Sequence, residues 1–151
     1  MCNRTPLAMV AITLTLAAFS LPNVGADEGH DSRPFKGLAK GAVTEIAPSG
    51  GAIVIESLGF ATHLGNFTRT EYVFFGPGGT ISGEVVFTAA NGDELWADFS
   101  GAFTSPTTLE GTYVFTGGTG RFIDATGTAD FEATTPDGVH VTVAFAGSIG
   151  Y

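Results

Sequence analysis

The stretch Ala129-Asp130-Phe131-Glu132-Ala133-Thr134-Thr135-Pro136-Asp137-Gly138-Val139-His140-Val141-Thr142-Val143-Ala144-Phe145 decides how this chain folds. Apolar and polar residues alternate on both sides of Pro136-Asp137-Gly138, the pattern of two half-buried strands joined by a turn. Pro sets φ at the first turn position and Gly supplies a positive φ at the last, so a three-residue loop is expected. That register sets Ala133 opposite Val141, Phe131 opposite Val143 and Ala129 opposite Phe145, on one apolar face. Asp130, Glu132, His140 and Thr142 then share the wetted face. A second hairpin, around Ala90-Asn91-Gly92, sets Phe87 against Leu95, Val85 against Ala97, Gly83 against Phe99 and Ile81 against Gly101. A slip of one residue would mix apolar and charged groups in both hairpins, so each pairing is strongly specified.

The rest of the chain from Pro34 onward reads the same way. No stretch keeps a helical apolar period for three turns, and runs rich in Val, Ile, Phe, Tyr and Thr alternate with turn clusters. The clusters are Pro48 to Gly51, Leu64 to Asn66, Gly76 to Gly79, Ala90 to Gly92, Ser105 to Thr107, Gly117 to Asp124 and Pro136 to Gly138. They divide the chain into strands predicted over 35–47, 52–63, 67–75, 80–89, 93–104, 108–116, 125–135 and 139–150. Connections this short join antiparallel neighbours, because a parallel crossover needs a dozen or more residues. The fold class is therefore all-β: an eight-stranded antiparallel up-and-down β-barrel, with a β-sandwich as the alternative. The strand glycines (Gly37, Gly41, Gly59, Gly83, Gly101, Gly111, Gly127, Gly147) favour the barrel, whose strands must coil where side chains would collide. Closure also removes exposed strand edges.

Residues 1–26 read as a secretory signal: Arg4, an apolar run from Leu7 to Leu21, and small residues at Val24 and Ala26 before a cut. The expected product is secreted or periplasmic, with a polar tail over 27–33 and one domain over 34–151. The single Cys of the chain, Cys2, falls in the leader, so neither a disulfide nor a cysteine zinc site is expected. The formal charge of −9 excludes an electrostatic nucleic-acid binder. His30, His63 and His140 lack metal-ligand spacing, and no G-x-S-x-G occurs, so no metal, cofactor or catalytic triad is expected. Asn66-Phe67-Thr68 is a glycosylation sequon.

Gly117-Gly118-Thr119-Gly120-Arg121-Phe122-Ile123-Asp124-Ala125-Thr126-Gly127 resembles the GGTG-[KR]-F-x-x-A-x-G signature of dirigent proteins and the related allene oxide cyclase barrel. Ala61-Thr62-His63-Leu64-Gly65-Asn66-Phe67-Thr68 resembles a segment of secreted bacterial proteins of this barrel type. The resemblance implies an eight-stranded antiparallel barrel with a lumen that handles small hydrophobic molecules. It also implies a few inward acids or phenols that steer or protonate an intermediate. The physical reading of the first stretch is a turn over the barrel mouth, with Phe122 capping the interior and Arg121 reaching a carboxylate or carbonyl.

The candidate ligand-binding residues are His63, at a strand end with a partly apolar face, Tyr113 and Phe115 on the inward face of one strand, and Arg121 at the rim. No catalytic residue is assigned: Asp98, Asp130 and Glu132 point to solvent, and Arg69 with Glu71 reads as a surface salt bridge. The first-ranked function is non-enzymatic binding of a small hydrophobic molecule, or a structural role, with oligomeric state open. A dirigent- or cyclase-like enzyme ranks second, and two or more buried polar groups in the lumen would move the reading to it. An outer-membrane barrel ranks third, on the cost of the strand-three charges in hydrocarbon.

Overall fold

The computed structural model describes residues 31–47 and 51–151. The leader over 1–26 (with Cys2), His30 and most of the Pro48–Gly51 turn lie outside the described residues. Eight strands follow one another: β1 (Arg33–Ile46), β2 (Ala52–Ala61), β3 (Gly65–Phe75), β4 (Thr80–Ala89), β5 (Glu94–Ser105), β6 (Thr108–Gly118), β7 (Thr126–Thr134) and β8 (His140–Gly150). Each pairs antiparallel with its neighbours in sequence, and β1 pairs with β8 to close a barrel rather than a sandwich. Short helical turns stand before β4 (Pro77–Gly79) and before β7 (Gly120–Phe122).

The β4–β5 hairpin has the expected register, Phe87 on Leu95 and Gly83 on Phe99. The β7–β8 hairpin does not. Phe131 faces Phe145 and Ala133 faces Val143, a shift of two residues that keeps every side chain on its expected face. The cause is Asp137. Its Oδ1 accepts the amides of Val139 and His140 at 2.9 and 2.7 Å, and its Oδ2 meets His140 Nδ1 at 2.6 Å. These bonds hold the Asp137 carboxyl well below the usual carboxylate range, the His140 ring contributing most. They also draw Val139 and Thr135 into the loop, which is longer than a Pro-Asp-Gly turn.

Four inward glycines each face a phenylalanine on the next strand: Gly37 and Phe145, Gly59 and Phe67, Gly83 and Phe99, Gly111 and Phe131. Each ring lies across bare backbone, leaving no room for a methyl group. A Cβ on Gly83 would strike the Tyr72 carbonyl oxygen and come within 2.8 Å of the Phe99 ring. Gly83→Ala is accordingly expected to destabilise the barrel by about 1–3 kcal/mol, read as a lowered urea midpoint with unchanged slope.

The lumen has two parts. Toward the end carrying the chain's C-terminus, Phe35, Phe67, Phe87, Phe115 and Phe145 form an aromatic plug. Phe35 stacks on Phe145 at 5.3 Å and meets Phe115 edge-on at 5.1 Å. Phe122, Leu64, Ala125 and Ile149 seal that end. At the opposite end, where the 76–79, 106–107 and 135–139 turns lie, the described residues leave a pocket.

Candidate functional site

Strand β3 builds the site. Its inward residues are Phe67, Arg69, Glu71, Val73 and Phe75, so two charged side chains enter an apolar lumen. Arg69 is 1 % exposed and Glu71 6 %. This overturns the reading of the pair as a surface salt bridge, while Asp98, Asp130 and Glu132 face solvent as expected. It also moves the strand-three charges off the outer wall, where they had weighed against a membrane barrel. The misassignment has a plain cause. Burying two charges is costly unless they are paired, while the other face of β3 carries Tyr72 and Phe74, which look like core residues.

Arg69 Nη2 donates to Glu71 Oε2 at 2.6 Å. From β6, across the lumen, Tyr113 completes the cluster. Its oxygen accepts from Arg69 Nη1 at 3.2 Å, and its hydroxyl donates to Glu71 Oε1 at 3.2 Å. Burial pushes the Tyr113 phenol far above its ordinary range; the nearby Arg69 charge opposes that and does not reverse it. Burial alone would favour a neutral Arg69, but Tyr113 and Glu71 outweigh it and the guanidinium is held more firmly charged than usual. Arg69 Nε and Ser57 Oγ, on directly paired residues of β3 and β2, have no hydrogen-bond partner.

The cluster forms the floor of a pocket of about 210 Å³ that opens between the turns. Glu71 and Tyr113 line it at the bottom; Ile55, Val73, Phe99, Phe131 and Val143 form its walls, and Phe75, Phe103 and Gly138 stand at the mouth. A phenol protonated beyond its unfolded pKa of about 10 means that the native state binds more protons than the unfolded chain above that pH. Tyr113 therefore adds full stability below about pH 10 and loses it as pH rises further. In an alkaline titration its phenolate absorbance is expected only together with loss of near-ultraviolet circular dichroism, a component absent from Tyr113→Phe.

Of the four residues singled out from sequence, only Tyr113 lies on this pocket. Phe115 sits deeper, in the aromatic plug. His63 and Arg121 meet at the sealed end. His63 occupies the turn after β2 with a φ of 68°, and Arg121 Nη2 donates to its carbonyl oxygen at 2.7 Å. The His63 ring lies between two partners, its Nε2 3.0 Å from the Pro34 carbonyl oxygen and its Nδ1 3.1 Å from the Tyr151 hydroxyl. Arg121 also approaches Asp93 at 3.6 Å. Among the described residues no group of three or more His, Cys, Asp or Glu side chains gathers to hold a metal ion.

No family model matches the chain, and no curated protein matches it. Among solved structures it is similar to the pterocarpan synthase dirigent protein, with 14% identity over 80% of this chain and 86% of that chain and a TM-score of 0.47.

Proposed function

We propose that this barrel is exported and holds one small, mainly apolar molecule that carries a hydrogen-bond donor at one end. The observation that carries this reading is the pocket itself, apolar on its walls with the Glu71 carboxylate at its floor. Glu71 spends one acceptor site of each oxygen on Arg69 and Tyr113 and keeps others for a ligand. Tyr113 already gives its proton to Glu71, and Arg69 does not line the pocket, so the floor accepts hydrogen bonds and offers none. A neutral alcohol fits such a floor; a carboxylate would face Glu71 unpaired.

Calorimetric titration with naphthalene, naphthol and naphthoate tests this. A hydrogen bond to a charged group contributes about 1.5–3 kcal/mol, so naphthol is expected to bind at least about tenfold tighter than naphthalene, with naphthoate excluded. Preference for naphthoate, or no binding by any of the three, would sink the proposal.

A dirigent- or cyclase-like enzyme is the second reading, although the three ionisable groups buried together in the lumen meet the condition that the sequence set for preferring it. It ranks behind binding because the phenol is a poor acid there and the carboxylate is clamped by Arg69, so the cluster orients better than it exchanges protons. Turnover lost in Tyr113→Phe with naphthol binding kept would reverse that order. Outward Glu56, Glu84, Asp98, Glu110, Asp130 and Glu132 around the wall support a barrel that stays in water.

A further inference from the structure

Three inward-facing rows run on past the end of the pocket. On β3 Phe75 follows Val73, on β8 Val139 comes two residues before Val141, and on β1 Ile46 pairs with the pocket-lining Ile53. Phe75 is 54% exposed, Val139 47% and Ile46 73%, so side chains in phase with the lumen stand in water around its mouth. The turns beside them carry almost no charge. Gly76-Pro77-Gly78-Gly79 and Ser105-Pro106-Thr107 have none. Thr135-Pro136-Asp137-Gly138 has one acid, whose oxygens already hold two amides and the His140 ring. Glu45, Glu110 and Glu132, the nearest other acids, are exposed on the outer side of the wall. The sealed end differs, since the exposed Ile123 there stands between Arg121 and Asp124. A chain of formal charge −9 thus keeps one end of its barrel apolar and nearly neutral.

We infer that this end docks on a lipid bilayer with neutral headgroups, the pocket mouth toward the hydrocarbon. The inference rests on the reading of the pocket as the site of a small apolar molecule, since docking lets such a molecule pass between lipid and pocket without crossing water. The shape of the rim selects the occupant. A stable protein partner needs about 800 Å² of close-packed surface on each side, whereas here separate turn tips ring a hole. Lipid is fluid and closes around each tip, so Phe75, Val139 and Ile46 gain burial without a matching surface. Headgroups without net charge suit a strongly acidic chain, which an anionic surface would repel. The outward acids of the wall stay in water, so only the rim enters and the contact is reversible.

Flotation of the purified protein with phosphatidylcholine vesicles tests the inference. The protein is expected to float with them, with little effect of salt because the contact is apolar, and to float less with vesicles that contain phosphatidylglycerol. Ile46→Asp together with Val139→Asp, at positions that do not line the pocket, should lower partition onto the vesicles at least about tenfold and leave naphthol binding in buffer unchanged. Leu58→Asp removes a similarly exposed apolar side chain from the outer wall and should float like the parent protein. Circular dichroism checks that each variant keeps the barrel. Flotation kept by the double variant, flotation lost in Leu58→Asp, or tighter binding to the anionic vesicles would overturn the inference. A protein that binds naphthol yet stays off the vesicles would overturn docking alone. One that floats but binds none of the naphthalene series would sink the pocket reading while the docked rim stands.

Discussion

Glu71→Ala is expected to cost about 3–5 kcal/mol, because it strands the Arg69 guanidinium in the lumen without its counter-charge. Arg69 has 0% side-chain exposure, so the only solvation left to its charge is what enters through the narrow pocket above position 71. Against a typical domain stability of about 5–15 kcal/mol, the variant should unfold at much lower urea and express poorly. The triple change Arg69→Met, Glu71→Leu and Tyr113→Phe should behave very differently. It removes charge and counter-charge together and replaces them with apolar groups of similar bulk, which is often neutral or stabilising. That protein should keep its barrel and lose the preference for naphthol over naphthalene. The two outcomes together separate what the cluster does for the ligand from what it does for the fold. A loss below about 1 kcal/mol in Glu71→Ala would show that Arg69 is not as sequestered as its geometry requires.

Phe35→Ala is the second large effect, again about 3–5 kcal/mol. Phe35 has no exposure, and its ring meets Phe87 on β4, Phe115 on β6 and Phe145 on β8. Removing it leaves a void in the middle of the aromatic plug, bordered by several strands that cannot all move inward at once. It also removes a side chain that ties β1, the first strand, to the last, so amide exchange along the β1–β8 seam should rise more than along β4–β5. Phe60→Ala is the matched control. It deletes the same ring from the outer wall, and its cost should stay within about 0.5 kcal/mol. Equal costs for the two substitutions would contradict the inside–outside assignment on which the barrel rests.

Much of this was legible in the residues. Ile81, Val85 and Phe87 opposite Gly101, Ala97 and Leu95 set the inner face of β4 and β5, and the structure has those pairs. The same hairpin held the information needed to place Arg69 and Glu71. The Gly76–Gly79 turn pairs Phe75 with Ile81 and Val73 with Gly83, so a known inner face on β4 dictates that 69 and 71 point inward. Following that register across the turn would have outweighed the ordinary expectation that charged residues stay wet. The β7–β8 shift was harder to see, since it arises when one carboxylate accepts two amides and a ring nitrogen, a local competition that turn statistics do not resolve.

Alternation, turn chemistry and the spacing of glycines against phenylalanines were enough to specify eight antiparallel strands and to favour a closed barrel over a sandwich, because each of these acts between residues close in sequence or directly across one hairpin. Whether the lumen is solid or hollow, and what stands at its floor, was decided by tertiary structure alone. Tyr113 reaches Glu71 and Arg69 from sequence positions some forty residues away, and their charges are tolerated inside only because closure brings the three into hydrogen-bonding contact. Pairing of that kind carries no local signature, since its stabilisation exists only once the cylinder has shut.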